Sequence, residues 1–104
     1  MTALARVDDV PDGGALLTHE GAIILTRRGA RVSAFRNRCP HAGYPLQRAE
    51  GGVLVQEARY LVCGAHGASF DMETGACAGG PCNGAGLERV AISIDDGVIS
   101  VRDR

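Results

Sequence analysis

A chain of 104 residues with a formal net charge of -1 can bury one modest core and carries no basic field for nucleic acid. Hydrophobic residues make up 45% and charged residues 22%, which excludes a disordered tail, and no apolar run reaches the roughly 18 residues that cross a bilayer. Trp is absent and aromatic residues are only 4%, so Val, Ile, Leu and Ala must build the interior, and a bound ion would help to stabilise it.

In chain order, Met1 to Asp12 is acidic and lacks a signal-peptide apolar stretch, which predicts a cytoplasmic protein in a reducing compartment. Strands are expected at Leu4–Val7, Leu16–Leu17, Ile23–Thr26 and Val32–Phe35, with turn signals at Pro11–Gly14 and Arg27–Gly29. Further strands are expected at Val53–Val55, Tyr60–Val62, Arg89–Ile94 and Val98–Val101, the last two joined by a tight turn at Asp95-Asp96-Gly97. No segment keeps a 3.6-residue apolar period. The expected fold is all-β, an antiparallel sandwich or small barrel in a single domain spanning 1–104. Asn37–Gly43 and Cys63–Ala68 resist a strand reading, and Gly75–Gly86 is too rich in Gly, Ala and Pro for regular structure. Three loops on a β framework predict one site built at loop tips.

Four Cys in a small cytosolic domain read as metal ligation before disulfides. Cys39-Pro40-His41 is a C-x-H pair and Cys63-Gly64-Ala65-His66 a C-x-x-H pair. Together they offer two thiolates and two imidazoles, a set that suits tetrahedral zinc or a 2Fe–2S cluster in which two His replace two Cys on one iron. Structural zinc favours C-x-x-C knuckles, so the spacing leans toward the cluster and leaves zinc open.

The flanking residues are more specific. Cys39 to Leu46 reads CPHAGYPL and Cys63 to Gly75 reads CGAHGASFDMETG, followed by Gly80-Pro81-Cys82 and Leu87. From about Val32 to Val101 the chain resembles the Rieske family, close to its soluble bacterial ferredoxins; Gly64 stands where a Pro is common. The resemblance implies a Rieske-type 2Fe–2S cluster, with Cys39 and Cys63 on the inner iron and His41 and His66 on the outer. It implies a Rieske-type fold whose cluster-binding part covers about 37–86, with Pro81 in a third covering loop. High-potential relatives tie the two cluster loops with a disulfide and aim two hydroxyls at the cluster sulfurs. Tyr44 and Ala65 stand at the disulfide positions and Ala68 and Phe70 at the hydroxyl positions, so a low-potential member is implied. The range for such mixed-ligand clusters is roughly -150 to +300 mV.

The resemblance implies an electron carrier rather than an enzyme, taking one electron from a flavin-dependent ferredoxin reductase to a terminal oxygenase, with no nucleic acid and no membrane as partner. The alternatives are a small Rieske subunit of a larger oxidoreductase such as nitrite reductase, and a zinc-stabilised binding module. Cys77 and Cys82 fit a local disulfide or a second metal site, but two plain thiols is the preferred reading. His19 reads as a surface residue, Leu46 and Phe70 as both core and cluster shield, and the Arg residues at 27, 28, 31, 36 and 38 as a solvated face before a docking face.

Overall fold

The computed structural model describes residues 2–40, 45–47, 52–64, 67–80 and 85–102. Among the described residues ten strands arrange into three antiparallel sheets, with no α-helix. β1 (Thr2–Arg6), β10 (Val98–Val101) and β9 (Ile92–Asp95) form the first sheet, in that order. The second is a meander of β2 (Gly14–Thr18), β3 (Ile23–Arg28) and β4 (Arg31–Arg36). The third runs β5 (Leu54–Gln56), β6 (Tyr60–Val62), β7 (Ser69–Asp71) and β8 (Cys77–Gly79). The sheets do not close into a barrel, which settles the sandwich-or-barrel expectation on the open side.

The meander lies between the other two sheets, and its sequence shows why. Ile23 to Thr26 is buried without a break, the signature of a strand covered on both faces. Successive side chains of a strand point to opposite faces. Ile24 and its cross-strand partner Phe35 therefore join one apolar cluster with Leu46, Leu61, Phe70, Met72 and Leu87. Leu25 and its partner Ala34 join the other, with Val10, Ile23 and Ile99. Residues 88–90 add a short continuation beside β4, through Arg36 N–H to Glu88 O at 2.9 Å and Val90 N–H to Ala34 O at 2.9 Å. This pairing accounts for only the first part of the expected strand Arg89–Ile94; the regular strand begins at Ile92.

The hairpin between β9 and β10 turns on Asp96 and Gly97, both at positive φ (50° and 78°), as a two-residue turn matched to strand twist requires. Two strands lie in stretches expected to be irregular or left unassigned. β7 follows the second Cys–His loop, and β8 falls within Gly75–Gly86, where a short ladder to β7 supplies order that local composition does not.

The turn joining β7 to β8 gives physical content to the D-x-x-T-G run. Asp71 Oδ1 accepts from Glu73 N–H (2.8 Å) and Thr74 N–H (3.0 Å), Thr74 Oγ1 accepts from Ala76 N–H (3.2 Å), and Gly75 N–H donates to Asp71 O (2.7 Å). Two hydroxyls bind this turn to the meander: Thr26 donates to Met72 O, and Ser33 donates to Glu73 O at 3.0 Å. Burial opposes the charged form of Asp71, but the hydrogen bonds from Glu73 and Thr74, with the nearby Arg59 charge, outweigh it and hold the carboxyl below its ordinary value of 3.8. A lowered folded value means the carboxylate stabilises the fold above the ordinary value and ceases to do so as pH falls through the lowered one. Asp71→Ala should therefore cost about 1 kcal/mol at pH 7. In thermal melts followed by circular dichroism, its difference from the unmodified protein should shrink as pH is lowered below 3.8.

Candidate metal centre

Both Cys–His loops leave strands that are anchored in the same core. The first begins where β4 ends: Asn37 N–H donates to Ala22 O (2.9 Å), Arg38 N–H to Arg36 O (2.9 Å), and Cys39 follows. The second is the tip of the β6–β7 hairpin, whose last pair is Val62 with Ser69. Cys63 opens this tip, its N–H donating to Ala68 O (2.8 Å) while its carbonyl accepts from Gly67 N–H (2.9 Å). Gly64 N–H then crosses to the first loop and donates to Leu46 O at 2.9 Å.

Cys39 is 2% and Cys63 1% exposed, both are free of disulfides, and both belong to the apolar cluster of Leu46, Ala68, Phe70 and Leu87. Leu46 and Phe70 are fully buried there, core residues and walls of the cysteine site at once. His41 and His66, with Ala42, Tyr44, Ala65 and Pro81, lie outside the described residues. Among the described residues no three His, Cys, Asp or Glu side chains gather into a further metal site. Two buried free thiols on neighbouring loops match the sulfur half of the expected ligand set, and a thiolate buried in apolar surroundings needs a metal or another positive partner. The residues fit a group that takes two sulfur ligands on its inner side.

The third loop corrects one expectation. Cys77, at the start of β8, is disulfide-bonded rather than a plain thiol; Cys82 lies outside the described residues. A cross-link of this kind restrains a segment whose Gly-rich composition gives it little order of its own. It also runs against the disulfide-poor chemistry of a reducing compartment.

Past β8 the third loop packs on the second. A Cβ placed on Gly80 would stand 2.9 Å from Ala68 Cα and 3.0 Å from Gly67 O, and Gly80 sits at φ +78°. Here only glycine lets one backbone lie on the other.

The arginines divide by role. Arg27 bonds the carbonyls of Gly29 (2.8 Å) and Val10 (3.1 Å), Arg28 and Arg31 both pair with Glu73 at 3.6 Å, and Arg36 pairs with Glu88 at 3.5 Å. These exposed pairs add little stability. A cleft of about 320 Å³ beside the first loop is lined by Arg36, Arg38, Pro40, Gly86 and Glu88. A larger one of about 650 Å³, at Asp12, Arg28, Arg31 and Glu73, opens at the opposite end of β4 from Cys39 and is lined by neither Cys39 nor Cys63. His19 is exposed in the β2–β3 turn, as expected. Asn37 was not singled out from the sequence, although a polar residue two before a candidate ligand cysteine was a signal; its amide bonds Leu46 N–H, Gly21 O and the Gln47 side chain.

The sequence matches the Rieske 2Fe-2S domain family over residues 1–96. No curated protein matches it. Among solved structures it is similar to the ferredoxin of carbazole 1,9a-dioxygenase from Nocardioides aromaticivorans IC177, at 26% identity and TM-score 0.71 with 100% of both chains covered. It is similar to the ferredoxin of Sphingomonas yanoikuyae B1, at 25% identity and TM-score 0.76 with 98% of this chain and 97% of that one covered. A complex of reduced oxygenase and oxidised ferredoxin in carbazole 1,9a-dioxygenase shares the fold, at 24% identity and TM-score 0.73 over 95% of this chain and 89% of that one.

The contact at Gly80 makes a sharp comparison. Gly80→Ala should destabilise the protein by at least about 1 kcal/mol, from the left-handed backbone alone. Gly79→Ala, where a Cβ meets nothing within 4 Å, should be neutral by the same thermal-melt measurement.

Proposed function

Since this chain belongs to the Rieske 2Fe–2S family, we propose that it is an electron carrier whose cluster is held by Cys39, His41, Cys63 and His66. The observation that carries this reading is the burial of two unbonded thiols, Cys39 and Cys63, in one apolar cluster at the ends of neighbouring loops. Family membership brings the 2Fe–2S cluster, which when bound supplies a single one-electron couple.

The chain's own residues would do the rest. Cys39 and Cys63 approach from the core side, where Leu46, Phe70 and Leu87 exclude water from the sulfurs. By the family resemblance His41 and His66, which lie outside the described residues, would hold the outer iron and offer the electron its way to a partner. The similarity in length and fold to two ferredoxins, one belonging to a dioxygenase system, supports a terminal oxygenase as acceptor. A flavin-dependent reductase as donor completes a chain in which electrons arrive singly.

Anaerobically purified protein should contain iron and acid-labile sulfide in equal amounts, absorb in the visible region and give an electron paramagnetic resonance signal once reduced. Zinc in place of iron would overturn the reading. Cys39→Ala, Cys63→Ala, His41→Ala and His66→Ala should each purify colourless and melt earlier, because ligand binding energy is also folding energy. A full cluster in Cys63→Ala would show that the ligand set is different. Transfer itself is tested by mixing the reduced protein with a Rieske oxygenase component and following reoxidation.

Low potential is the second part of the proposal. Ala68 and Phe70 are both fully buried beside the cysteines and offer no side-chain hydroxyl. A donor there stabilises the more negative, reduced state, and a net hydrogen bond of roughly 0.5–1.5 kcal/mol corresponds to roughly 20–60 mV for one electron. Ala68→Ser and Phe70→Tyr should each raise the potential by about that amount in film voltammetry. No rise at either position, with cluster content unchanged, would place control of the potential elsewhere.

A further inference from the structure

We infer that Asn37 is a positioning residue for the metal centre, setting the first cysteine loop against the second through Leu46. The inference rests on the cluster assignment above and adds to it a residue outside the ligand set.

Asn37 lies two residues before Cys39 and spends its whole carboxamide on the chain around it. Its Nδ2 donates to Gly21 O at 2.7 Å and to Gln47 Oε1, and its Oδ1 accepts from Leu46 N–H at 2.7 Å. The orientation of the amide is fixed by the main chain, since Leu46 N–H can only donate and Gly21 O can only accept. Its own N–H donates to Ala22 O at 2.9 Å, so the residue is fastened to the β2–β3 turn by both backbone and side chain.

Leu46 carries the constraint onward. Its side chain is fully buried in the cluster that contains both cysteines, its N–H is held by Asn37, and its carbonyl accepts from Gly64 N–H at 2.9 Å. Gly64 directly follows Cys63. A continuous relay therefore runs from the β2–β3 turn through Asn37 and Leu46 to the residue beside the second cysteine. Among the described residues, the Gly64 to Leu46 bond is the backbone link between the segment carrying Cys39 and the tip carrying Cys63. The strands fix where each loop starts, and the relay sets how the two loops sit against each other.

The test compares holo-proteins carrying Asn37→Ala and Thr26→Val. Thr26 makes a buried hydrogen bond to Met72 O at the β7–β8 turn, so its loss weakens the fold without touching the relay. Both variants should melt earlier. Only Asn37→Ala should change the g values of the reduced cluster, shift its potential, and lose iron to a chelator about tenfold faster, the effect of about one hydrogen bond. Asn37→Ala with unmodified g values and potential, and only a lower melting temperature, would overturn the inference and leave Asn37 as a structural residue. If Asn37→Ala takes up no cluster, Gln47→Leu decides: it removes one partner of the amide, and should move the g values as well, whereas an unmodified spectrum overturns the inference. Absence of iron and sulfide in the unmodified protein would instead fail the cluster assignment, before any variant is made.

Discussion

Every buried backbone N–H and C=O must find a partner, and this requirement weighs most on the irregular segments that carry cysteines. A strand meets it by pairing with its neighbour; a loop must meet it piecemeal. Here the second loop closes on itself through Cys63 and Ala68, and the first turns its own Asn37 amide on Leu46 N–H and borrows the Ala22 carbonyl for Asn37 N–H. Leu46 is the joint between the two solutions, apolar in its side chain and fully bonded in its backbone. The cysteines sit in apolar surroundings because the polar groups are already satisfied one or two residues away.

The meander supplies the rigidity behind this. Its central strand is covered on both faces, so the Ile24 and Phe35 side supports the cysteine cluster while the Leu25 and Ala34 side rests on the first sheet. Buried side-chain polar atoms are all satisfied among the described residues. Thr26 and Ser33 reach carbonyls in the β7–β8 turn, which sets the third sheet at a fixed place on the second.

Much of this was legible in the amino-acid sequence. The β-branched runs at Ile23–Thr26 and Val32–Phe35 and the Asp96-Gly97 turn announce themselves through local preference, and the structure places strands and hairpin there. Cys39 and Cys63 stood out because metal chemistry restricts spacing and residue type together, and the structure buries both in one apolar cluster. β7 and β8 were not, since three-residue strands leave too short a pattern and depend on neighbours outside themselves. The bonding state of Cys77 was equally hidden, because spacing alone does not say whether two thiols meet. Asn37 escaped notice for a related reason: its value lies in three partners that only the fold brings to it.

The order of the first sheet bears on how the molecule is made. β1 pairs with β10 alone, Thr2 opposite Val101 and Arg6 opposite Val98, so β1 leaves the ribosome with no partner until residues 98–101 emerge. The meander and the β6–β7 hairpin face no such delay, since each pairs segments close in sequence. During synthesis, both cysteine-bearing segments are therefore out and supported while β1 still waits. The strands that lead into Cys39 and Cys63 pair locally, before the first sheet can close.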